Sequence, residues 1–198
     1  MGPQCYYSLM RRSGFVLAGG SSSRMGRDKA LLAYRETSLV EYVARAVRDA
    51  VGSVALIGDP DRYGNLGYSV YRDQVPACGP LGGIYTALSL SPGDWNLVVA
   101  CDMPGISAEA LRKLIDPAPK MHQNCIIATG FRGDPEPLCA LYHRRCLPVL
   151  ERAIREKRFK MRDLVPELEA ELRPFDTTAL ANVNTPADWA KFKETHAR

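Results

Sequence analysis

This chain lacks any apolar run approaching the roughly twenty residues of a membrane-spanning helix. Its first residues also carry no apolar leader segment. Both absences point to a soluble, cytoplasmic protein with no membrane partner. Histidine is scarce: His122, His143 and His196 are the only three, they stand at no partner spacing, and each reads as a surface residue. The six cysteines, at positions 5, 78, 101, 125, 139 and 146, include no C-x-x-C pair and no histidine at zinc-finger spacing. A metal finger or disulfide scaffold is thereby excluded, and Cys101, Cys125 and Cys139 fall in apolar runs where a reduced thiol acts as a small hydrophobe. Nor is there a large excess of one charge. The formal net charge is +4 with no RNA- or DNA-binding module pattern, which argues against nucleic acid as a partner and leaves a mild preference for anionic ligands. Repeats, low-complexity tracts and long linkers are missing too.

What the chain does have is the segment LAGGSSSRMGRDKALL, Leu17 to Leu32. It places two adjacent glycines, a hydroxyl run and the cations Arg24, Arg27 and Lys29 directly behind the apolar stretch Phe15 to Ala18. Gly19 and Gly20 lack a Cβ, so the backbone is expected to turn at positive φ and bring N–H groups close to anionic oxygens. Lys29 to Leu32 reads as a short helical turn that adds peptide dipoles. Two commoner phosphate loops do not match. Walker A needs G-x-x-x-x-G-K-[ST], whereas Gly26 is followed by Arg27-Asp28; the dinucleotide fingerprint G-x-G-x-x-G fails because Gly19 and Gly20 are adjacent.

The rest of the chain alternates strand-like and helix-like segments. Strands are expected at Phe15–Ala18, Ser53–Ile57, Ser69–Arg72, Leu97–Cys101, Cys125–Thr129, Pro137–Leu141 and Glu171–Phe175. Helices are expected at Ser38–Val51, Pro80–Leu90, Ala108–Ile115, Cys146–Glu156 and Pro186–Thr195. Such alternation predicts an α/β fold: a Rossmann-like, doubly wound, mostly parallel sheet with helices on both faces and ligands at the strand C-termini. The 198 residues, 46% hydrophobic and 24% charged, suffice for one domain with a sizeable core. Residues 14–198 read as that domain, and residues 1–13, polar and unpatterned, as a disordered extension ahead of it.

Within that frame Asp102, just past the apolar strand Leu97–Cys101, is a hard oxygen ligand suited to Mg²⁺; alternatively it caps a turn. Asp73, after the strand that ends at Arg72, could accept from guanine N1–H and N2–H₂ or from ribose hydroxyls, or merely solvate a loop. Gly79, Gly82 and Gly83 would let the next loop lie flat against a base or sugar. Asn182 and Asn184 alternate with Val183, so both amides face one side of an extended segment. The same residues also suit an Asn-rich turn before a helix capped by Thr185-Pro186. The basic stretch Arg155 to Arg162 carries five cations and one acid, the usual look of a solvated helix end.

The loop closely resembles the signature L-A-[AG]-G-x-[SG]-x-R-M-G-x-x-K of nucleotidyltransferases, and its LAGG form is most similar to the molybdenum cofactor guanylyltransferases. Further segments resemble that family's motifs in order: Arg72-Asp73, Gly79 to Ile84, Cys101 to Pro104, Glu136-Pro137-Leu138 with Ala140 to Tyr142, and Asn182 to Pro186. Two departures are small: Arg35 to Ser38 where the family has a glycine turn, and Ala77-Cys78 ahead of the GPLGG segment. The resemblance implies a fold like that of the nucleotide-diphospho-sugar transferases. It also implies transfer of GMP from GTP to the terminal phosphate of the molybdenum cofactor, with release of pyrophosphate.

It implies Mg²⁺ as cofactor with Asp102 as ligand, and Arg24, Lys29 and Asp102 as the catalytic groups. Leu17, Ala18, Gly19, Gly20, Gly58, Asp73, Gly79, Gly82, Asn182 and Asn184 would line the nucleotide and acceptor site. The two asparagines would contact the second substrate or the metal, and the basic stretch would hold a pterin phosphate or a partner. GTP and molybdopterin are the implied partners, together with transient contacts to cofactor-synthesis and acceptor molybdoenzyme proteins. Alternatives are a cytidylyltransferase for the same pterin, whose relatives read L-A-A-G, a nucleotidyltransferase for another small molecule, and a non-catalytic nucleotide-binding subunit of a cofactor-delivery complex. Lys29 together with Asp102 argues against the last of these.

Overall fold

The computed structural model describes residues 12–19, 28–116, 119–120 and 122–195. The strands are β1 (Arg12–Leu17), β2 (Ala33–Tyr34), β3 (Thr37–Ser38), β4 (Ala55–Ile57), β5 (Ser69–Tyr71), β6 (Trp95–Ala100), β7 (Cys125–Thr129), β8 (Pro135–His143) and β9 (Ala170–Pro174). The α-helices are α1 (Leu39–Val51), α2 (Pro60–Tyr63), α3 (Pro80–Leu90), α4 (Ala108–Ile115), α5 (Leu147–Arg155), α6 (Met161–Leu164) and α7 (Pro186–Thr195). Seven strands form one sheet in the order β5-β4-β1-β6-β8-β7-β9, and β2 pairs with β3 in a separate hairpin.

Periodicity explains the layering. Along β1, Phe15 and Leu17 point into a core shared with Leu81 and Ile84 of α3 and Leu150 of α5. Val16 points the other way, into a core with Val40, Val43 and Val47 of α1 and Leu111 of α4. A strand buried on both faces reads as a continuous apolar run rather than an alternation, and all six residues of β6 are buried. Helix α1 starts where Ser38 and Glu41 complete a reciprocal capping box, and ends at Gly52 with φ 87°. Thr185 caps α7 together with Asp188: the Asp188 N–H donates to Thr185 Oγ1 at 3.1 Å and the Asp188 carboxylate accepts from the Thr185 N–H at 2.8 Å. Among the described residues no helix is long and apolar enough to cross a membrane.

Three details depart from expectation within the mostly parallel sheet that the alternation predicts. First, β1, β4, β5 and β6 run parallel, as does the β7–β9 pair, but β8 lies antiparallel to both β6 and β7. The five residues between β7 and β8 cannot cross the sheet as a helical connection would, so the chain can only turn back on itself. Second, β1 begins at Arg12, paired with Trp95 of β6, and takes in Ser13, because the start of β6 offers a ladder partner to both. Residues 1–11 of the expected extension lie outside the described residues. Third, His143 is half-buried rather than free in solvent. Its ring packs edge-on against Trp95 at 4.9 Å, its Nδ1 accepts from the Arg145 N–H at 3.0 Å, and burial holds its pKa below the ordinary value. The β2–β3 hairpin and the four-residue helices α2 and α6 carry too few residues for a period to show. All the cysteines among the described residues are free and buried.

Gly14 fixes the distance between β1 and α1. A Cβ there would lie 2.4 Å from the Ser53 carbonyl and 2.5 Å from Val47 Cγ1, contacts that only movement of strand or helix relieves. Gly14→Ala is therefore expected to destabilise the fold by about 1–3 kcal/mol, a fall in Tm of about 2–12 °C for a domain of this size. Calorimetry of the purified variant checks this; an unchanged Tm would mean the α1 packing is looser than drawn.

Candidate active site

The carboxyl ends of β1, β4, β5 and β6 open into a cleft of about 760 Å³. Its floor is Leu17, Ile57, Ala100 and Cys101, the last residues of the parallel strands or their immediate neighbours. Lys29 and Asp102 stand at one end, and the Arg72–Asp73 and Pro76–Pro80 segments form the opposite wall.

At the first end, Lys29 leaves a 3₁₀ turn (Lys29–Leu31) capped by Asp28, whose carboxylate accepts from the Ala30 N–H at 3.0 Å. The ammonium donates to Asp102 Oδ2 at 2.5 Å and to Asn184 Oδ1 at 3.1 Å. Asn184 is brought there by the backbone: the Val183 N–H donates to the Asp102 carbonyl at 2.9 Å, docking the 182–184 segment on the end of β6. Val183 is buried, while Asn182 and Asn184 are exposed toward the rim. The second Asp102 oxygen, Oδ1, is buried and has no hydrogen-bond partner among the described residues. Next to it, burial foremost and the charge of Asp102 behind it push the Cys101 thiol up to about 12, so it stays protonated and is no nucleophile.

On the opposite wall, Asp73 Oδ1 accepts from the Val75 N–H at 2.9 Å and from the Thr86 hydroxyl at 3.0 Å. Thr86 in turn accepts from the Gln74 N–H at 3.0 Å. These bonds fix the carboxylate and use only one of its oxygens. Gly79, with φ 60° and ψ −144°, makes a bend that a residue with a Cβ rarely adopts, and it delivers Pro80 as the first residue of α3.

Such a site, a cationic side chain held by acid and amide at the strand ends of an α/β sheet, can be compared with known proteins. A MobA-like NTP transferase domain matches residues 14–172. This chain belongs to that family. It is 34% identical over 184 residues to a Carboxydothermus hydrogenoformans protein named "Probable molybdenum cofactor guanylyltransferase", covering 89% of this chain and 92% of the relative. A Flavobacterium johnsoniae protein of the same name is also 34% identical, with 86% and 90% covered. Among solved structures, molybdopterin-guanine dinucleotide biosynthesis protein A from Archaeoglobus fulgidus superposes with a TM-score of 0.78 at 24% identity, covering 93% of this chain and 98% of that one, a likeness of fold.

In this MobA-like transferase, Leu17, Gly19, Lys29, Gly58, Asp73, Gly79 and Asp102 all line the cleft, with Asn184 bonded to Lys29 at its edge. Two expected lining residues are instead packed behind it. Ala18 is buried, its N–H donating to the Ile57 carbonyl at 2.8 Å. Gly82 lies under Asp73, where a Cβ would sit 2.8 Å from Oδ2; its missing side chain makes room for the carboxylate. Gly19 does not take positive φ. What its lack of a side chain provides is open space, with no atom within 4 Å of a would-be Cβ. Gly20, Arg24 and Arg27 lie outside the described residues. Asn182 is exposed beside the buried Val183. In the basic stretch, Arg158 pairs with Glu167 at 2.5 Å and with Glu156 at 2.8 Å, as a solvated helix end would. Arg162 differs: it reaches Glu136 at 3.6 Å.

Glu136 is the residue whose role sequence reasoning missed, although the segment that contains it was noted. The β6–β8 ladder ends at Val99 opposite Cys139, and beyond its end the charge of Asp102 is felt at Glu136. The signal was there in the antiparallel strand, but only a known pairing partner makes it legible. Burial foremost raises the Glu136 pKa above its ordinary value near 4.5, Asp102 adds to the rise, and the Leu138 N–H and Arg162 oppose it. The folded state therefore binds the proton more tightly than the unfolded one, so stability is lost as pH rises from about 4.5 through the raised value. Glu136→Gln is expected to flatten that part of the stability–pH profile and to raise Tm at neutral pH. Thermal melts of both proteins across that window test it; parallel profiles would refute it.

Proposed function

We propose that this chain transfers GMP from GTP to the terminal phosphate of molybdopterin, in the cytoplasm, releasing pyrophosphate and forming the guanine dinucleotide cofactor. The observation that carries the reading is the Lys29 ammonium, fixed between Asp102 and Asn184 where the phosphate loop meets the strand ends, in a chain whose relatives bear the name of that activity. An oxygen of the acceptor phosphate attacks the α-phosphorus of GTP, the bond from that phosphorus to the bridging oxygen of the β-phosphate breaks, and pyrophosphate departs with the electron pair. The attacking phosphate oxygen is already anionic, so no side-chain base is required. Lys29 stabilises charge on the phosphates as they separate, Arg24 of the loop adds a second cation, and the cleft walls hold the triphosphate for in-line attack.

The residues present fit Mg²⁺. Among the described residues no three His, Cys, Asp or Glu side chains cluster as a self-sufficient metal site, yet buried Asp102 Oδ1 has no partner, and Mg²⁺ typically takes one or two carboxylates plus substrate phosphates. Asp102 would hold it, with Asn182 and Asn184 at the rim to complete its shell, and it would neutralise charge on the leaving pyrophosphate. Guanine is read by Asp73. Its free oxygen can accept from both N1–H and N2–H₂, whereas cytosine offers a single amine and makes one bond fewer, a difference of roughly 1–3 kcal/mol.

Two measurements test this. In competition for limiting molybdopterin, GTP is expected to be incorporated about ten- to a hundred-fold over CTP; equal incorporation overturns the base assignment, and absence of pyrophosphate release with either leaves only a nucleotide-binding subunit. Asp102→Asn is expected to lower turnover by about 10²- to 10³-fold while the fold survives. Near-normal turnover of this variant would remove Asp102 from the chemistry.

A further inference from the structure

Lys29 is held from below as well as from above. Asp28, which caps its turn, is gripped by the short helix α2: the Tyr63 hydroxyl donates to Asp28 Oδ2 at 2.8 Å, and Arg62 approaches the same oxygen at 3.4 Å. The other Asp28 oxygen accepts from Ala30 N–H, so one carboxylate ties the lysine's turn to α2. Tyr63 is buried, 3% exposed, and its ring lies so close to Gly58 that a Cβ there would meet Cε2 at 2.8 Å. The ring cannot shift without moving the cleft wall, so the position of the hydroxyl is set by packing. Arg62 is 61% exposed on its side chain, and such surface pairs contribute little; the buried hydroxyl is the contact that decides where Asp28 stands. Burial foremost, then the bond to Asp28, drives the Tyr63 pKa upward, which keeps the hydroxyl a donor. The outer side of α2 is anchored in turn: Asp59 and Asp61 hold Arg72 at 3.0 and 2.9 Å.

We propose that Tyr63 is a positioning residue of this active site, acting through Asp28 to hold Lys29 where it meets the transferring phosphate. The proposal rests on the reading that Lys29 contacts that phosphate, and it assigns the cap of a turn to a residue 34 positions downstream of Lys29 that touches no substrate.

Tyr63→Phe keeps the ring and removes only the hydroxyl. The variant is expected to fold, with Tm lowered by about 2–4 °C, while kcat for GMP transfer falls about ten- to a hundred-fold and KM for GTP changes less than kcat. In a Lys29→Ala background the same substitution should change kcat less than two-fold, since nothing is left to position. An acceptor-independent readout accompanies these: amine acylation followed by mass spectrometry should label Lys29 several-fold faster in Tyr63→Phe than in the parent. A lowered Tm with unchanged kcat and unchanged labelling, the result of a merely structural role, overturns the proposal, as does an equal kcat loss in the Lys29→Ala background. Faster labelling in a protein that transfers no GMP sustains the positioning role and sinks the guanylyltransferase reading instead.

Discussion

The constraint on which the site depends is the placement of one ammonium group. A lysine side chain offers three donors on a flexible stem, and left to itself it would sample many rotamers in solvent. Here one donor goes to Asp102 and another to Asn184, leaving a third for a ligand. The two acceptors lie 73 and 155 residues away along the chain. The pair is only 18% and 15% exposed, so desolvation takes back much of the Coulombic gain. A contact of this kind stabilises the fold weakly and fixes geometry strongly, which suits the role proposed for Lys29.

Everything around the lysine follows from the sheet. Asp102 is at the end of β6, a strand buried along its whole length between β1 and β8, so its backbone cannot drift. The Asp102 carbonyl then recruits the 182–184 segment, and Val183 pins that segment in the core while the amides face outward. On the opposite wall the backbone comes close where side chains are missing. Gly82 admits the Asp73 carboxylate and Gly58 admits the Tyr63 ring. Each lets a functional or supporting group occupy the space its own side chain would have filled.

The distribution of charge fits the same picture. Much of the cationic excess is neutralised locally, with Arg152 and Arg158 on Glu167 and Arg72 on Asp59 and Asp61, and such exposed pairs add little stability. Arg162 stands apart because its partner, Glu136, is buried beside Asp102. The rim on the β8 side thus holds a second carboxylate whose ionisation the fold opposes, while the β4–β5 side holds the carboxylate Asp73 in a fixed hydrogen-bonded frame.

By itself the sequence determined the local elements and the family. The apolar runs at Cys125–Thr129 and the helices at Pro80–Leu90, Ala108–Ile115 and Pro186–Thr195 were legible to the residue, because periodicity, proline at a first turn and Ser107 as a cap act over a few positions. Asp102, Lys29 and Asp73 were legible because motif residues sit at strand ends, and the order of strands and loops is written in the chain. Only the tertiary structure decided which segments meet. The reversal of β8 depends on a sheet partner rather than on its own pattern, and with it comes the influence of Asp102 on Glu136. That Gly82 packs under Asp73 and that Ala18 is buried were likewise hidden, because burial is a property of neighbours. The bond from Tyr63 to Asp28 belongs to the same class: no local period connects the two, and it exists because Gly58 leaves room for a ring to pass beneath the cleft.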